Sequence, residues 1–319
     1  MDMAFSSEKM IREAQEYITE TVGKERAIIA LSGGVDSFTA AALAARAIPK
    51  QLFAVYVDTG LMRLGERKEV EVAAKKAGIA LSVVDAHKQF FSTLKGITDP
   101  EEKRKRIGEL FIRLFETEAK RDQVKFLIQG TIAPDWIESG GEGREKIKSH
   151  HNVGGLPERM HLKLCEPLRE LYKHEVRAVA RALGLPENIC NRQPFPGPAL
   201  AVRIVGEVTP ERVALLQKVT RIVEAEMENA VKNGMEKPWQ YFAGLLPVKT
   251  VGVRGDERAY QYSVVVRAVK SLDGMTANFS PLPPELLQKI STRITNEITE
   301  VGRVFYDVTD KPPGTVELE

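Results

Sequence analysis

Cysteine, histidine and tryptophan are scarce in this chain, and their scarcity restricts what the sequence can encode. Its 319 residues include two cysteines, five histidines and two tryptophans. The two cysteines, Cys165 and Cys190, cannot form a disulfide framework, and their spacing matches no CxxC zinc signature. A chain so poor in thiols is typical of the reducing cytoplasm, which is where we expect the protein to act.

The chain also lacks a long apolar run and a strong net charge. The longest mostly apolar stretch, residues 38–45, is far shorter than the roughly 20 residues that cross a bilayer. Residues 1–20 have the pattern of a polar amphipathic helix and not that of a signal peptide. The formal net charge is only +2. We therefore expect neither a membrane nor a nucleic-acid partner, although a local basic pocket remains compatible with this balance.

What the first part of the chain does contain is an alternation of strand-like and helix-like patterns. Short apolar runs predict strands at residues 26–31, 51–57, 79–84, 125–129 and 161–165. Amphipathic or apolar helical patterns lie between and after them, at residues 37–48, 66–77, 101–121 and 171–183. This alternation predicts an α/β fold, with a parallel sheet and helices on both of its faces.

A proline-rich segment, residues 192–198, interrupts this alternation. Its three prolines within five residues cannot continue a helix or join a central strand. We place a boundary here, which gives predicted domains of residues 1–193 and 194–319. Beyond it, Thr209 and Pro210 predict the start of a helix. Later patterns predict a small α+β domain, with strands at 249–253, 259–270 and 303–309 and a helix at 284–299.

The densest chemical signal is the segment Ser32-Gly33-Gly34-Val35-Asp36-Ser37, between a predicted strand and a predicted helix. Its glycines permit a tight turn and close approach to a ligand, and the first N–H groups of a helix favour an anion. It has neither the Lys of a P-loop nor GxGxxG spacing, and the P-loop-like glycines at 60–65 are followed by Glu66. The segment predicts a phosphate-binding loop of another kind, and the alternative is a turn with a serine cap.

This segment, SGGVDS after a strand, resembles the PP-loop of the ATP pyrophosphatases, which have an adenine-nucleotide α-hydrolase-like fold. Further segments resemble those of one branch of that group, the GMP synthases, and follow the same order. They are VDTGLMR ending at Arg63, PDWIES from Pro134, IKSHHNVGGL from Ile147, PFPGPAL ending at Leu200, TVGVRGD from Thr250 and KPPGTVELE from Lys311. The resemblance covers nearly the whole chain.

The resemblance implies that the chain adenylates xanthosine monophosphate with ATP as co-substrate, releases pyrophosphate, and aminates the intermediate with ammonia. Mg²⁺ is expected to accompany ATP. The implied ATP-binding residues are Ser32, Gly33, Gly34, Val35, Asp36 and Ser37. The implied catalytic residues are Asp36, Asp135, Glu138 and Lys148, of which the last three lie in a predicted lid at residues 131–160. The alternative is that Asp135 and Glu138 are ordinary solvated acids of a loop. His150 and His151 are expected to be structural or to aid closure of the lid.

Positions that match the nucleotide-substrate contacts of GMP synthases are Arg63, Gly197, Arg254, Lys311 and Glu317. Arg63 and Lys311 suit a phosphate, Gly197 a close backbone approach, and Glu317 the ribose or base. Arg254 stands where some relatives have another polar residue, and Leu318 replaces a tryptophan that is common in the tail. Charged residues on a terminal tail normally fray, so this assignment predicts an ordered C-terminus.

The resemblance also has implications for partners. GMP synthases often carry a glutaminase on the same chain, but no cysteine precedes Cys165 to serve as its nucleophile. The chain therefore resembles the stand-alone archaeal synthetase subunit, which implies a separate glutaminase subunit and a homodimer formed by the C-terminal domain.

Three alternatives remain open at this stage. A tRNA-modifying PP-loop enzyme is disfavoured by the two cysteines and the small net charge. An NAD synthetase would not explain PFPGPAL or the KPPGT tail. A nucleotide-binding module without turnover is disfavoured by the intact loop together with an acidic, lysine-containing lid.

Overall fold

The computed structural model describes residues 5–138, 162–271 and 274–319, and it describes residues 136–138 through their backbone. The chain divides into two compact units. The first comprises Met1–Thr59, Gly65–Ala86 and Gly108–Arg192, and the second comprises Gly60–Leu64, His87–Ile107 and Gln193–Glu319. The main division falls in the proline-rich segment, but two short stretches before it also belong to the second unit. The domain ranges 1–193 and 194–319 stay a prediction.

The first unit contains a parallel sheet of five strands. They are β1 Ala27–Ala30, β2 Leu52–Asp58, β3 Leu81–Asp85, β4 Phe126–Ile128 and β5 Lys163–Cys165. Their order is β3-β2-β1-β4-β5, and all neighbours are parallel. The predicted parallel α/β fold is therefore confirmed.

The helices described before the boundary include the predicted ones and three short ones that were not predicted. In chain order they are α1 Ser7–Val22, α2 Val35–Ala47, α3 Glu66–Lys76, α4 His87–Leu94, α5 Pro100–Arg121, α6 Ala133–Glu138, α7 Lys173–Ala182 and α8 Glu187–Cys190. The three that were not predicted are α4, α6 and α8. Helix α4 belongs to the second unit, and α5 is divided between the two. Among the described residues, none of the helices has the length and apolarity needed to traverse a bilayer.

The core of the first unit lies where the helices cover the sheet. Strand β4 is buried throughout, and so are the first three residues of β1. Such unbroken apolar strands are typical of parallel sheets whose two faces are both covered. Helix α2 packs against α1 and α7, and its small buried alanines, Ala40, Ala41 and Ala44, let it approach them closely. Apolar burial of this kind stabilises the fold by roughly 25 cal/mol per Å².

Strand β1 lies at the centre of the sheet, with β2 on one side and β4 on the other. The chain first adds β2 and β3 on one side of β1 and then adds β4 and β5 on the other. The strand order therefore reverses beside β1. In open parallel sheets, ligands bind outside the carboxyl ends of the strands at such a reversal. This places the loops after β1 and β4 where a ligand is favoured.

The second unit contains a sheet built around β7 Glu257–Lys270. Its partners are the antiparallel strands β6 Gln240–Arg254 and β8 Asn278–Phe279 and the parallel strand β9 Val301–Asp307. The helices are α9 Pro210–Lys232 and α10 Pro284–Glu297, and a 3-10 helix occupies Ala199–Arg203. Helix α9 packs on β6 and on α10, and α10 packs on β9. The predicted small α+β domain is confirmed.

Strand β6 begins at Gln240, whereas the sequence pattern predicted a start at residue 249. Residues 240–245 are all buried, so they lack the alternation that marks a half-exposed strand. The pairing register then shifts between Leu245 and Lys249, around Pro247. A proline is tolerated at such a bulge because it has no N–H to give to the ladder.

Candidate active site

The segment from Ser32 to Ser37 forms a closed loop between β1 and α2. The two serine Oγ atoms lie 3.0 Å apart. Ser37 Oγ accepts a hydrogen bond from Ser32 N at 3.3 Å and donates one to Gly34 O at 3.0 Å. Gly34 N donates to Ser32 Oγ at 3.4 Å. The hydroxyls thus fix the loop directly before α2 begins at Val35, where the free N–H groups and the positive end of the helix favour an anion.

Gly33 brings three distant segments of the first unit together. Its φ is +83°, in the left-handed region. A Cβ at this position would lie 2.7 Å from Glu66 Oε1 and 2.8 Å from Arg192 Nη1. Glu66 begins α3, and Arg192 follows α8; their side chains are only 2% and 8% exposed. The backbone conformation therefore favours glycine at position 33, and any side chain there would also have to displace the ends of the Glu66 and Arg192 side chains.

A second glycine brings the loop after β4 against the start of α2. A Cβ on Gly130 would lie 2.9 Å from both the carbonyl carbon and the carbonyl oxygen of Asp36, and 3.1 Å from Ser37 N. Backbone atoms of a helix cannot move aside as a flexible side chain can. Gly130 was not among the predicted site residues, although a glycine just after a buried parallel strand is a usable signal of close approach.

Asp36 carries the clearest unsatisfied polar group of the site. Its Oδ2 accepts a hydrogen bond from Lys173 Nζ at 2.5 Å, and Lys173 is the first residue of α7. The two side chains are 27% and 43% exposed, so solvent reaches the pair. The other oxygen, Oδ1, is buried and has no hydrogen-bond partner among the described residues. A buried acceptor without a partner is costly, and a ligand or cation would satisfy it.

The predicted lid residues are described only in part. Asp135 lies on α6 and is exposed, and its Oδ2 accepts a hydrogen bond from Ile132 N at 3.0 Å. Glu138 is the last residue of α6, and its side chain lies outside the described part of the chain. Lys148, His150 and His151 also lie outside it, as does the rest of the predicted lid from residue 139 to 160.

The five residues predicted to contact the nucleotide substrate all belong to the second unit. Arg63 Nη1 lies 3.2 Å from Glu224 Oε1, and its guanidinium carbon lies 4.9 Å from the centre of the Phe195 ring. Arg254 ends β6, at the hairpin turn, and donates to Thr299 O at 2.8 Å.

Gly197 and Lys311 make few contacts with other side chains in the described part of the chain. No described atom lies within 4 Å of the place that a Cβ on Gly197 would take, so the protein itself does not require a glycine there. Lys311 pairs with Ala277 in a β-bridge, and its Nζ donates to Gly274 O at 2.7 Å.

The C-terminal tail is held by Arg203, which is 1% exposed. Arg203 donates two hydrogen bonds to the Glu317 carboxylate, at 2.8 and 2.9 Å, and its guanidinium carbon lies 4.2 Å from the centre of the Phe242 ring. Gln240 Nε2 also donates to Glu317 Oε1, at 2.8 Å. The carboxylate that the sequence predicts to face the ribose or base thus forms a bidentate ion pair inside the protein.

Two further buried cations hold the same tail. Arg267 Nε donates to Val316 O at 2.9 Å, and its Nη2 donates to Thr315 O at 2.8 Å. Lys103 forms an ion pair with Glu319, and its Nζ donates to Ile204 O at 2.7 Å. Burial lowers the pKa of Lys103, and the bond to Glu319 opposes that shift.

Several residues that hold the loop or the tail were not among the predicted site residues, and their partners all lie far away in sequence. They are Glu66, Gly130, Lys173 and Arg192 in the first unit, and Lys103, Arg203 and Arg267 in the second. A charged residue inside an apolar run is a usable sequence signal, and it is present at Arg203 and Arg267.

Two protein-family models match the chain: NAD synthase over residues 7–110 and GMP synthase C terminal domain over residues 225–318. A GMP synthase (glutamine-hydrolyzing) subunit from Thermococcus kodakarensis is 62% identical over 98% of this chain and 99% of its own length. The subunit of the same name from Thermoplasma acidophilum is 54% identical over 98% of this chain and 100% of its own. GMP synthase (glutamine-hydrolyzing) of Thermotoga maritima is 55% identical over 97% of this chain and 62% of its own.

The first family match includes the loop from Ser32 to Ser37, and the second includes Arg254, Lys311 and Glu317. Identity above one half extends over nearly the full length shared with the Thermococcus and Thermoplasma proteins. This chain therefore belongs to the GMP synthase family of ligases.

Proposed function

We propose that this chain is the synthetase subunit of a GMP synthase, which activates xanthosine monophosphate with ATP and then aminates it. The xanthine O2 attacks the α-phosphorus, the bond from that phosphorus to the bridging oxygen breaks, and its electron pair leaves with pyrophosphate. Ammonia then adds to C2 and loses a proton, and the C2–O bond breaks to release AMP and leave GMP. The observation that carries this proposal is the closed Ser32–Ser37 loop at the strand-order reversal.

The loop is proposed to hold the departing pyrophosphate. The N–H groups at the start of α2 and the positive end of that helix favour a polyanion. Lys173, whose Nζ lies 2.5 Å from Asp36 Oδ2, supplies a positive charge near the same helix start. Negative charge grows on the pyrophosphate as its bond to the α-phosphorus breaks. Donors held in place beforehand therefore stabilise the transition state more than the bound substrate.

We propose Asp36 as a protein ligand for Mg²⁺. The described residues contain no group of three or more His, Cys, Asp or Glu side chains that would hold a metal by themselves. Mg²⁺ in nucleotide sites usually needs only one or two carboxylates, because phosphate oxygens and waters complete its coordination. The unpartnered Oδ1 of Asp36 fits that requirement. A bound Mg²⁺ would neutralise charge on the phosphoryl oxygens, and Asp135, Glu138 and Lys148 remain proposed contributors to the same step.

In the second unit, Arg63, Gly197, Arg254, Lys311 and Glu317 remain the proposed contacts of xanthosine monophosphate. Guanidinium and ammonium groups suit its phosphate. Arg63 and Glu317 already hold protein partners, Glu224 and Arg203. Substrate binding would therefore have to share or exchange those bonds.

The proposed partners are a second copy of the chain and a separate glutaminase. Exposed apolar side chains share the β6–β7 hairpin: Val251, Val253 and Tyr260 are 47%, 77% and 68% exposed, and Val251 pairs with Tyr260. Grouped apolar side chains of this kind favour an interface, here a homodimer through the C-terminal domain. The Thermococcus relative is named as one subunit of a glutamine-hydrolyzing enzyme, which supports ammonia supply by another subunit, and we propose that both act in the cytoplasm.

Turnover with defined acceptors tests the proposed reaction. The protein is incubated with ATP, Mg²⁺, ammonium chloride and xanthosine monophosphate carrying ¹⁸O at O2. We expect AMP, pyrophosphate and GMP in equal amounts, all dependent on the nucleotide, with the label recovered in the AMP phosphate. ADP and orthophosphate as products, or pyrophosphate release driven instead by tRNA or deamido-NAD, would overturn the proposal.

Asp36→Asn tests the position of the phosphate site within the same assay. We expect kcat/KM for ATP to fall by about 100-fold or more, because the variant loses a proposed ligand of the Mg²⁺ that would neutralise charge on the phosphoryl oxygens. Asp122→Asn is the matched control, because Asp122 is a carboxylate of the same unit that lies 3.9 Å from Arg121. Unchanged kinetics in Asp36→Asn, or equal losses in both variants, would mean that the phosphate site lies elsewhere.

A further inference from the structure

We propose that Arg192 is a positioning residue for the phosphate loop. Its Nη1 donates a hydrogen bond to Gly33 O at 2.6 Å and another to Glu66 Oε1 at 2.7 Å. Its Nη2 donates to Glu69 Oε2 at 2.9 Å. The inference deepens the proposed function and rests on it: Arg192 acts through the peptide group between Gly33 and Gly34, without touching ATP.

Two glycines flank that peptide group. Gly33 has a φ of +83°, and Gly34 has φ −77° and ψ 155°. Because neither residue has a Cβ, the peptide plane between them can turn over with little steric cost. In a trans peptide the C=O and the N–H point to opposite sides. Its orientation therefore decides whether the loop offers an N–H donor or a C=O acceptor to an anion, and only the donor favours a phosphate.

Arg192 selects the donor orientation. Once the guanidinium holds Gly33 O, the N–H of Gly34 points to the opposite side, toward Ser32 Oγ at 3.4 Å. That distance exceeds the 2.7–3.2 Å that is usual for an N–H···O bond, so the bond is weak. The N–H of Gly34 can therefore exchange Ser32 Oγ for a phosphate oxygen at little cost.

The arginine is itself held in one position. It is 8% exposed, and two carboxylates, from Glu66 and Glu69, balance its charge. Its contribution is therefore more than an added positive charge beside the phosphates. The planar fork of a guanidinium fixes the direction of each N–H, which the ammonium of a lysine does not.

Substitution of Arg192 separates positioning from charge. In Arg192→Lys, which keeps the charge but loses the fork, we expect the KM for ATP and the inhibition constant of pyrophosphate to rise about 10-fold. In Arg192→Gln we expect a larger rise. The KM for xanthosine monophosphate should stay within about 2-fold of wild type in both. A lysine variant with wild-type constants would show that charge suffices and would overturn the inference.

Arg46→Gln is the matched control. Arg46 lies in the same unit and also donates to a backbone carbonyl, that of Leu183, at 2.7 Å. It stands in the last turn of α2, whereas the phosphate loop precedes the first turn of that helix. We expect its KM for ATP to be unchanged, and a rise equal to that of Arg192→Gln would overturn a role specific to the loop.

A paired variant guards against loss of the fold. Removing Arg192 alone breaks its ion pair with the buried Glu66 carboxylate, and breaking a buried ion pair destabilises a protein strongly. The double variant Glu66→Gln/Arg192→Gln removes both charges at nearly constant volume. We expect it to melt close to wild type yet to keep the raised KM for ATP. A variant that melts early while its KM for ATP and its pyrophosphate inhibition stay at wild type would show a purely structural role and overturn the inference.

Calorimetric titration separates failure of this inference from failure of the proposed function. If the wild-type protein shows no turnover that depends on xanthosine monophosphate, the proposed reaction fails, but ATP affinity can still be measured directly. Weaker ATP binding by Arg192→Lys than by wild type would then support the positioning role. Equal affinities would overturn it.

Discussion

Buried cations hold the backbone in both units, but they hold a short loop in the first unit and the C-terminal tail in the second. In the first unit, Arg192 holds one carbonyl, Gly33 O, within a loop that β1 and α2 already confine at both ends. In the second unit, three cations hold the tail after β9, which forms no helix or strand of its own in the described residues. They are Arg203, Arg267 and Lys103, bound to Glu317, to carbonyls of Thr315 and Val316, and to Glu319. A loop confined between two elements has few accessible conformations, so one contact can select among them. A tail has many more conformations, so several contacts are needed to order it.

The largest effect is expected where an added methyl group would displace the ion pair between Arg192 and Glu66. Gly33→Ala would put a methyl group 2.7 Å from Glu66 Oε1 in a left-handed backbone conformation. We expect kcat/KM for ATP to fall by at least about 100-fold, because displacement of reacting groups by about 1 Å has that effect. Steady-state kinetics with varied ATP would measure it.

Gly23→Ala sharpens that prediction as a control for backbone strain. Gly23 also has a positive φ, +60°, but no described atom lies within 4 Å of its missing Cβ. We expect it to lose about 1–3 kcal/mol of unfolding free energy, because non-glycine residues rarely adopt its backbone angles of φ 60° and ψ −123°, and to keep wild-type activity. A similar loss of activity in both variants would assign the effect to strain and not to the crowded loop.

The next effect concerns the tail. Arg203→Met removes a 1%-exposed partner of Glu317 and leaves that carboxylate 17% exposed and unbalanced. We expect a loss of about 3 kcal/mol of unfolding free energy, together with faster digestion of the tail by carboxypeptidase. The KM for xanthosine monophosphate should rise about 10-fold while the KM for ATP stays constant. Such a result would show that the cations of the second unit affect only the nucleotide substrate.

The control for the tail variant is an exposed ion pair. Arg181 lies 3.0 Å from Glu187, and their side chains are 46% and 62% exposed. Arg181→Met should cost less than about 1 kcal/mol, because solvent screens such a pair. If Arg203→Met left the tail as resistant to carboxypeptidase as Arg181→Met does, the buried cation would not be what holds it.

The smallest effect tests a buried charge of the second unit that does not touch the tail. Glu226, on α9, is 3% exposed and accepts from Lys289 at 2.7 Å and from Arg293 at 2.6 Å, both on α10. Burial raises its pKa, but the hydrogen bonds and charges of these two cations lower it by more, so the net pKa lies below the ordinary 4.5. The folded state therefore binds the proton less readily than the unfolded state. The stabilisation is present above pH 4.5 and disappears as the pH falls through the folded-state value.

Glu226→Gln should consequently cost about 1 kcal/mol at pH 7, a modest value because both cations are partly exposed. Urea unfolding across pH 3 to 7 would measure the difference from wild type, which we expect to shrink below pH 4.5. A difference that grew toward acid would contradict the assigned direction.

The turn between β1 and α2 was predictable because its signals are local, whereas its role in binding phosphate stays a prediction. The glycines, the serines and the start of α2 lie within Ser32–Ser37, and the flanking strand is a plain apolar run. The start of β6 was not predictable, because residues 240–245 are buried on both faces and show no alternation. The parallel order of the sheet followed from the alternation of strands and helices, but the pairing of β9 with β7 did not.

By itself, the sequence determined the α/β class, the position of the turn that we propose to bind phosphate and the membership of the GMP synthase family of ligases. Tertiary structure alone decided which charged side chains serve that loop and the tail. Arg192 and Gly33 are 159 residues apart, Lys173 and Asp36 are 137 apart, and Lys103 and Glu319 are 216 apart. A cation in a sequence carries no mark of its partner, because packing of distant helices and strands sets which carbonyl or carboxylate comes within 3 Å of it.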